Sequence, residues 1–237
     1  MSVITVRPAT LADSDAIATI HYEALKEYHD FYAAFFQRHP RELIPIATRA
    51  ALQNPSQHFL VAEDEAGETA GFIRYKEVVR DEKPNSNASP PAPSVWTIKE
   101  HNKQLWEWFN ARSEEIDASK EKAVDGKDHF EVMHLMVHPQ HQRKGIGGRL
   151  LSSVTDKADA ANAPALIVSS VEGHGLYKKH GFETLGTWAI DNEDWARKIT
   201  EHEKSVGYTD GDSNLEAKCI GMREVEDSMI RLPRFRS

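Results

Sequence analysis

Cysteine is almost absent from this chain. Cys219 is the only cysteine among 237 residues, so no internal disulfide can form. It also lies far from the glycine-rich segment described below, which disfavours a covalent cysteine intermediate in any chemistry there. A single thiol fits a reducing compartment. We therefore expect a cytoplasmic protein, with the nucleus left open.

Long apolar runs and an excess of basic residues are missing as well. No stretch approaches the ~18 apolar residues of a membrane span, and the N-terminus lacks the basic and apolar regions of a secretory signal. The 29 Lys and Arg residues are outnumbered by 37 Asp and Glu residues, for a net charge of −8. This balance disfavours general nucleic-acid binding. We expect neither a membrane nor a nucleic acid as a partner.

The length allows one domain with a sizeable core. We expect a single domain over residues 1–237, with a helical insertion at about 81–128 and an extended connection before the last strand at about 191–218. Residues 81–93 predict a polar loop and residues 95–119 a helix. The tryptophans of that insertion have two interpretations, packing on the sheet or a lid over a site: Trp96, Trp106 and Trp108.

The N-terminal third predicts a strand, two helices and a hairpin. Residues 2–7 read as a strand, and Thr10 with Asp13 forms a capping box that opens a helix. Apolar residues at helical spacing extend that helix past position 30: Ile17, Ile20, Ala24, Tyr28, Phe31 and Phe35. A second helix, 41–53, is interrupted or opened at Pro45. Residues 58–63 and 69–79 then alternate as a hairpin.

Residues 129–182 organise the chain. An apolar strand at 132–137 leads through Pro139 into a glycine-rich turn, and a helix, a second apolar strand at 165–168 and a short helix follow. Strand, helix and strand in this order predict two parallel strands joined by a crossover.

The glycines of this segment predict a site for a diphosphate. Gly145, Gly147 and Gly148 allow close approach to the backbone at a helix start, where free N–H groups and the helix dipole attract anions. Arg143 and Lys144 add positive charge. Neither Gly-Lys-Ser/Thr nor Gly-x-Gly-x-x-Gly is present. Close packing of a helix start is the alternative explanation for these glycines.

Two motifs make the resemblance specific. Gln142, Gly145 and Gly147 match the pyrophosphate loop Gln/Arg-x-x-Gly-x-Gly/Ala of the GNAT superfamily of N-acetyltransferases. The end of the short helix matches the family's Leu-Tyr-x-x-x-Gly-Phe: Leu176, Tyr177, Gly181 and Phe182. The opening residues 6–10 also resemble the family's first strand and turn. The resemblance is close over 129–190, loose over 1–80 and poor elsewhere.

The resemblance implies an α/β fold, with a mixed, mostly antiparallel twisted sheet, a splayed central parallel pair and helices on both faces. It implies acetyl-CoA as cosubstrate and direct transfer of the acetyl group to a primary amine in a ternary complex. The acceptor would be a small molecule or a peptide, and the protein a monomer or homodimer. Two alternatives stay open: a non-catalytic acyl-CoA-binding or sensor module, and a transferase using a longer acyl-CoA.

The resemblance also assigns the cofactor contacts. The central strand would offer the pantetheine arm its backbone groups at Met136, Val137 and His138. The loop would hold the pyrophosphate with Gln142, Arg143, Lys144, Gly145, Ile146, Gly147 and Gly148. Ser170 stands where many family members have Asn, so it can replace only part of that contact.

Two residues are candidates for proton transfer. Tyr177 is the candidate acid, since a phenol with a pKa near ~10 can donate to a thiolate. Glu131 is the candidate base, and alternation places Met133 on its face and His134 on the opposite face. Packing and an exposed strand-start carboxylate are the plain alternatives for these two residues. No metal is expected, because no Asp, Glu or Cys completes a set with the nearby histidines. Three aromatics of the first helical region are possible acceptor contacts: Tyr28, Phe31 and Tyr32.

Overall fold

A computed structural model describes residues 4–80 and 94–234. Seven strands form one sheet in the order β1-β2-β3-β4-β5-β7-β6. Their bounds are β1 Thr5–Pro8, β2 His58–Glu63, β3 Thr69–Val78, β4 His129–Val137, β5 Ala165–Ser169, β6 Glu183–Asp191 and β7 Arg223–Arg231. β4 and β5 pair in parallel and the other neighbours are antiparallel. This is the predicted fold class, and the predicted hairpin is β2–β3.

Helices cover both faces of the sheet. They are α1 Ser14–Ala24, α2 His29–Ala33, α3 Pro40–Leu52, α4 Lys103–Val124, α5 Ile146–Ala160, α6 Val171–Lys179, α7 Asn192–Ser205 and α8 Leu215–Lys218. Within the described ranges, no helix is both long and apolar enough to cross a membrane. The loop predicted at 81–93 lies outside the described residues.

One face of the sheet is closed by α5. Its Leu150, Leu151 and Val154 are fully buried, and they pack with Val132 of β4 and Ile167 of β5. The apolar positions of α5 recur at helical spacing, so a single stripe of the helix covers both parallel strands. The residues at the start of α5 are thereby fixed relative to the ends of those strands.

The predicted first helix is wrong in its length. The capping box at Thr10 and Asp13 is present, but α1 ends at Ala24 and a 3₁₀ turn at Lys26–Tyr28 precedes α2. The break separates two packing partners. Ile17 and Ile20 of α1 pack on strand residues, whereas Phe31 and Phe35 pack in a second cluster with Leu105 and Phe109 of α4.

The predicted interruption at Pro45 is also wrong. Helix α3 runs without a break from Pro40 to Leu52 and contains Pro45. Its start is defined six residues before Pro45 by His39, whose side chain accepts a hydrogen bond from Arg41 N. The predicted insertion helix lies later in the chain than its pattern suggested and is slightly shorter, with 22 residues at Lys103–Val124.

The parallel pair parts soon after it forms. β4 and β5 are in register over only three residue pairs, the last of which is Val132 with Ile167. β4 nevertheless continues to Val137, and β5 ends at Ser169. Beyond Val132 the edge of β4 that faces β5 therefore has no strand partner among the described residues, beside the N-terminus of α5.

A buried ion pair fastens the end of β7 to the end of α5. Arg231 is 4% exposed, and its two terminal nitrogens each lie 2.7 Å from a carboxylate oxygen of Asp159. Its Nε also donates to the carbonyl of His180, just after α6, at 3.0 Å. Bonds from Arg231 hold the pKa of Asp159 below its usual value. One guanidinium thus joins three elements around the α5 face.

We expect Arg231→Met to destabilise the fold by about 3 kcal/mol at pH 7, because it leaves the Asp159 carboxylate buried without its partner. Since the pKa of Asp159 is lower in the folded state than the unfolded value of about 3.9, this stabilisation is present above that pH and is lost as the pH falls. Urea unfolding at pH 7 and pH 3 measures it. The double variant Arg231→Met/Asp159→Leu should recover much of the loss, and no recovery would contradict the ion-pair explanation.

Candidate active site

The glycine-rich turn is shaped by two residues in the left-handed region. Arg143 has φ +63° and Gly145, the N-cap of α5, has φ +80°. Gly147 faces α6 closely, since a Cβ there would lie 3.2 Å from Leu176 Cδ2. The first N–H groups of a helix have no partners within it. The turn therefore presents backbone N–H groups that can donate to a ligand. Glycine at these positions leaves room for the ligand to approach the backbone.

The charged residues of the turn are exposed. Arg143 and Lys144 both face solvent, and in the described part of the chain neither forms an ion pair. Gln142 instead braces the turn, because its Nε2 donates to the carbonyl of Val137 at 3.3 Å. Two cations, a helix start and its free N–H groups together suit a diphosphate.

Of the three residues at the end of β4 that are expected to contact the cofactor, only Val137 has backbone groups that face the gap between β4 and β5. His138 N donates to Ala70 O of the neighbouring chain segment at 2.9 Å, and His138 O accepts from His141 N at 2.8 Å. Both backbone groups of His138 are thus engaged within the protein. Because antiparallel pairing alternates, Met136 also directs its backbone groups to β3. Val137 and Leu135 are the positions whose backbone groups face the side of β5.

Tyr177 and Ser170 lie across this gap on α6. Ser170 is the exposed N-cap residue of α6. Tyr177 is 5% exposed, and its ring packs edge-on against Phe182 with centroids 5.8 Å apart. Burial raises the pKa of Tyr177 well above its usual value, so the phenol is protonated at neutral pH. Within the described residues its hydroxyl makes no hydrogen bond, which leaves it free to donate to a ligand.

Glu131 lies in an ion-pair network on the opposite face of the sheet from α5. Its carboxylate oxygens are 2.7 Å from Lys120 Nζ of α4 and 3.5 Å from Lys76 Nζ of β3. Burial alone would raise the pKa of Glu131, but the two ammonium groups outweigh it and lower the pKa. Glu131 also pairs with Leu166, within the part of β4 that is still joined to β5.

A β-bulge at Met133 reverses the predicted faces of β4. Lys76 is opposite Glu131, but Arg74 is opposite His134, and the register shifts between them. Residues two apart on β3 share a face, so their partners Glu131 and His134 also share one. The expectation that His134 points away from Glu131 is wrong, because the bulge inserts one residue. His134 is the first residue of that face beyond the last β4–β5 pair.

A cavity of about 380 Å³ opens beside His134. Aromatic and apolar side chains from α1, α2, α3, β2 and β3 form most of its wall, together with His21 and Arg74. The rings of His21 and His134 lie 4.8 Å apart between centroids. Burial lowers the pKa of His21 to about 4, and that of His134 well below its usual value. Both imidazoles are therefore neutral at pH 7.

The proposed aromatic contacts separate into wall and core. Tyr32, Trp96 and Trp106 line the cavity. Phe31 is fully buried in the cluster under α4, and Trp108 is 62% exposed. Tyr28 stands outside the cavity wall; burial and the charges of Glu27, Glu224 and Glu172 raise its pKa.

Sequence reasoning missed three groups of this site. Arg74 had a readable signal, since it is a lone charge within the apolar run Gly71–Tyr75. His21 had a similar signal, because the residues three and four positions away, at 17, 18, 24 and 25, are all apolar. Glu224 of β7 accepts hydrogen bonds from Asn192 and from the hydroxyl of Tyr32, and burial raises its pKa. Glu224 lies behind the cavity wall, and Tyr32, which lines the wall, connects it to the cavity.

Comparisons with known proteins find similar acetyltransferases. Residues 91–184 match the family model of the acetyltransferase (GNAT) domain. A curated protein of Schizosaccharomyces pombe, an uncharacterized N-acetyltransferase, is 25% identical over 174 residues, which cover 65% of this chain and 69% of the relative.

Two solved structures share the fold. One is a histone acetyltransferase HPA2 and related acetyltransferase from Corynebacterium glutamicum, with a TM-score of 0.56 at 17% identity, covering 100% of this chain and 99% of that one. The other is a mosquito arylalkylamine N-acetyltransferase-like protein, with a TM-score of 0.53 at 15% identity, covering 97% and 100%. The family model and the curated relative thus support an acyltransferase of the GNAT type.

Proposed function

We propose that this protein transfers an acetyl group from acetyl-CoA to a primary amine, directly and within a ternary complex. The observation that carries this is the glycine turn at the start of α5, which opens beside the point where β4 leaves β5 and where the Tyr177 phenol is free to donate. A non-catalytic acyl-CoA-binding module would have no use for a buried, unbonded phenol at that position. A longer acyl group is the remaining alternative, and the room around Met133 and Leu135 decides it.

The residues that would hold acetyl-CoA follow from the free donors. The N–H groups of Arg143–Gly148 would bind the diphosphate, with Gln142 bracing the turn. Val137 would offer its backbone to the pantetheine arm, and Ser170 one hydroxyl across the gap. When bound, acetyl-CoA supplies an activated thioester. Of the predicted contacts, Met136 and His138 are the weakest, because their backbone groups are directed elsewhere.

The reaction needs one proton removed and one supplied. A C–N bond forms, the C–S bond breaks, the amine loses a proton and the leaving sulfur gains one. Tyr177 is suited to stabilise the leaving sulfur as a hydrogen-bond donor, because its raised pKa keeps the proton on the phenol at neutral pH.

Two residues on one face of β4 compete for the first step. Glu131, the candidate from sequence, has its carboxylate oxygens bound by two ammonium groups and is not among the residues that line the cavity. His134 is neutral, lies past the last β4–β5 pair and lines the cavity, and none of the described residues hydrogen-bonds to its ring. These contacts favour His134 as the base, and Glu131 would then hold Lys120 and Lys76 in place.

Gly147 tests the diphosphate site. We expect Gly147→Asp to weaken CoA binding by at least ~10-fold relative to Gly147→Ala, because both variants add the Cβ that approaches Leu176 and only Asp adds a like charge. Calorimetry with CoA measures both, and circular dichroism checks that they fold. Equal affinities in the two variants would argue that the turn does not hold the diphosphate.

Tyr177→Phe keeps the packing of the ring and removes only the hydroxyl. We expect kcat to fall by ~10²-fold, the scale of a lost general acid, while the Kd for CoA changes less than about twofold. Thiol release at saturating substrate measures kcat. Full turnover in this variant would mean that Tyr177 only packs and that water protonates the thiolate.

The base is identified by pH profiles of His134→Asn and Glu131→Gln. Both groups have lowered pKa values, so each is unprotonated at neutral pH, and the rate should fall only in acid as the base takes up a proton. We expect His134→Asn to lose this acidic limb and ~10²-fold in kcat, whereas Glu131→Gln keeps the limb. The reverse pattern would return the role to Glu131.

A further inference from the structure

Arg74 is a charged side chain in the cavity without a charged partner. Its Nε donates to Gln57 Oε1 at 2.9 Å, and its guanidinium lies 5.6 Å from the centroid of the Phe59 ring. Among the described residues, no carboxylate is within ion-pair distance and no acceptor meets its two terminal nitrogens. Burial lowers the pKa of Arg74 without any acidic neighbour to oppose it. Arg74 thus brings four unpaired N–H donors to the wall of the cavity.

The remaining titratable groups of the cavity do not balance this charge. His21, His29, His134 and Tyr32 are the others in its wall. Burial lowers the pKa of each histidine and raises that of Tyr32, so all four are neutral at pH 7. The charge of Arg74 contributes to the lowering in His21 and His134. The wall therefore carries one positive charge and no negative charge, and a half-buried cation beside apolar side chains attracts an anion.

We propose that this cavity binds the acceptor through a carboxylate held by Arg74, so that the substrate is an aromatic or large apolar amino acid or a close amino-carboxylate. Acetylation of the amine rests on the proposed function, whereas binding of the carboxylate by Arg74 is independent of it. The guanidinium fork matches the two oxygens of a carboxylate. The rings of Phe36, Phe59 and Trp106 provide the surface for an apolar body.

The position of Arg74 beside His134 sets the spacing of the two functional groups. The two residues are direct cross-strand partners, so their Cβ atoms lie about 5 Å apart. A ligand whose carboxylate meets Arg74 can therefore bring an amine a few bonds away to the imidazole of His134. A simple amine without a carboxylate would enter as a cation next to an unopposed cation, which is unfavourable.

A pair of ligands without an amine tests the anion site alone. 3-Phenylpropionate and 3-phenylpropanamide differ in the charge of one group, and calorimetry compares their affinities for the intact chain. We expect the carboxylate to bind at least ~10-fold more tightly to the wild type, Arg74→Gln to remove the difference and Arg74→Lys to keep part of it. Arg49→Gln, which removes the same charge from an exposed position on α3, should leave the difference unchanged.

Acetyl transfer to L-phenylalanine and to phenethylamine tests the substrate class. We expect a higher kcat/KM for phenylalanine in the wild type and for phenethylamine in Arg74→Gln. Equal binding of the acid and the amide by the wild type would overturn the carboxylate site, whatever the variants do. Carboxylate binding that depends on Arg74, with no transfer to either amine, would instead overturn the proposed function. If Arg74→Gln fails to fold, the wild type and Arg74→Lys still give the comparison.

Discussion

The site depends on the early parting of two parallel strands. β4 and β5 hold together over three residue pairs, and beyond them each strand is supported from its other side, β4 by β3 and β5 by β7. Neither strand needs the other to remain ordered, so the gap between them can persist without loss of the sheet. α5 keeps its width fixed, because one apolar stripe packs on both strands. The glycine turn follows β4 in the chain, and His134 comes two residues after the last β4–β5 pair.

The fold was largely predictable from sequence because its signals are local. Alternation gave β2 and β3, helical spacing gave α5, and the motif around Gly145 and Tyr177 gave the parallel pair. The first helix ends at Ala24 because the residues before this point pack on the sheet and those after it pack on α4. The helical periodicity of the sequence is the same on both sides of the break and does not reveal it. Pro45 is the sixth residue of α3, where a proline costs one backbone hydrogen bond. The buried residues on either side of it pack as one continuous helix face: Leu43, Ile44 and Thr48.

The cavity was less predictable because it is made by register. The extra residue at Met133 moves the side chains after it to the opposite face of the sheet. His134 therefore lies on the same face as Glu131, opposite Arg74. Sequence alternation assigns faces correctly only while the strand is regular. The same limit applies to Glu131, whose position was predicted but whose two ammonium partners come from β3 and α4, distant in the chain.

Helix α4 has a consequence for the order in which the protein is made. It connects β3 to β4, yet Phe109 meets Trp195 of α7, Arg112 pairs with Glu226 of β7, and Ser119 bonds to Ser228. On the ribosome the chain emerges from its N-terminus, so Phe31 and Phe35 can cover part of α4 as soon as it is made. The contacts from α7 and β7 become available only when almost the whole polypeptide is outside the tunnel, so the packing of α4 is completed at the end of translation.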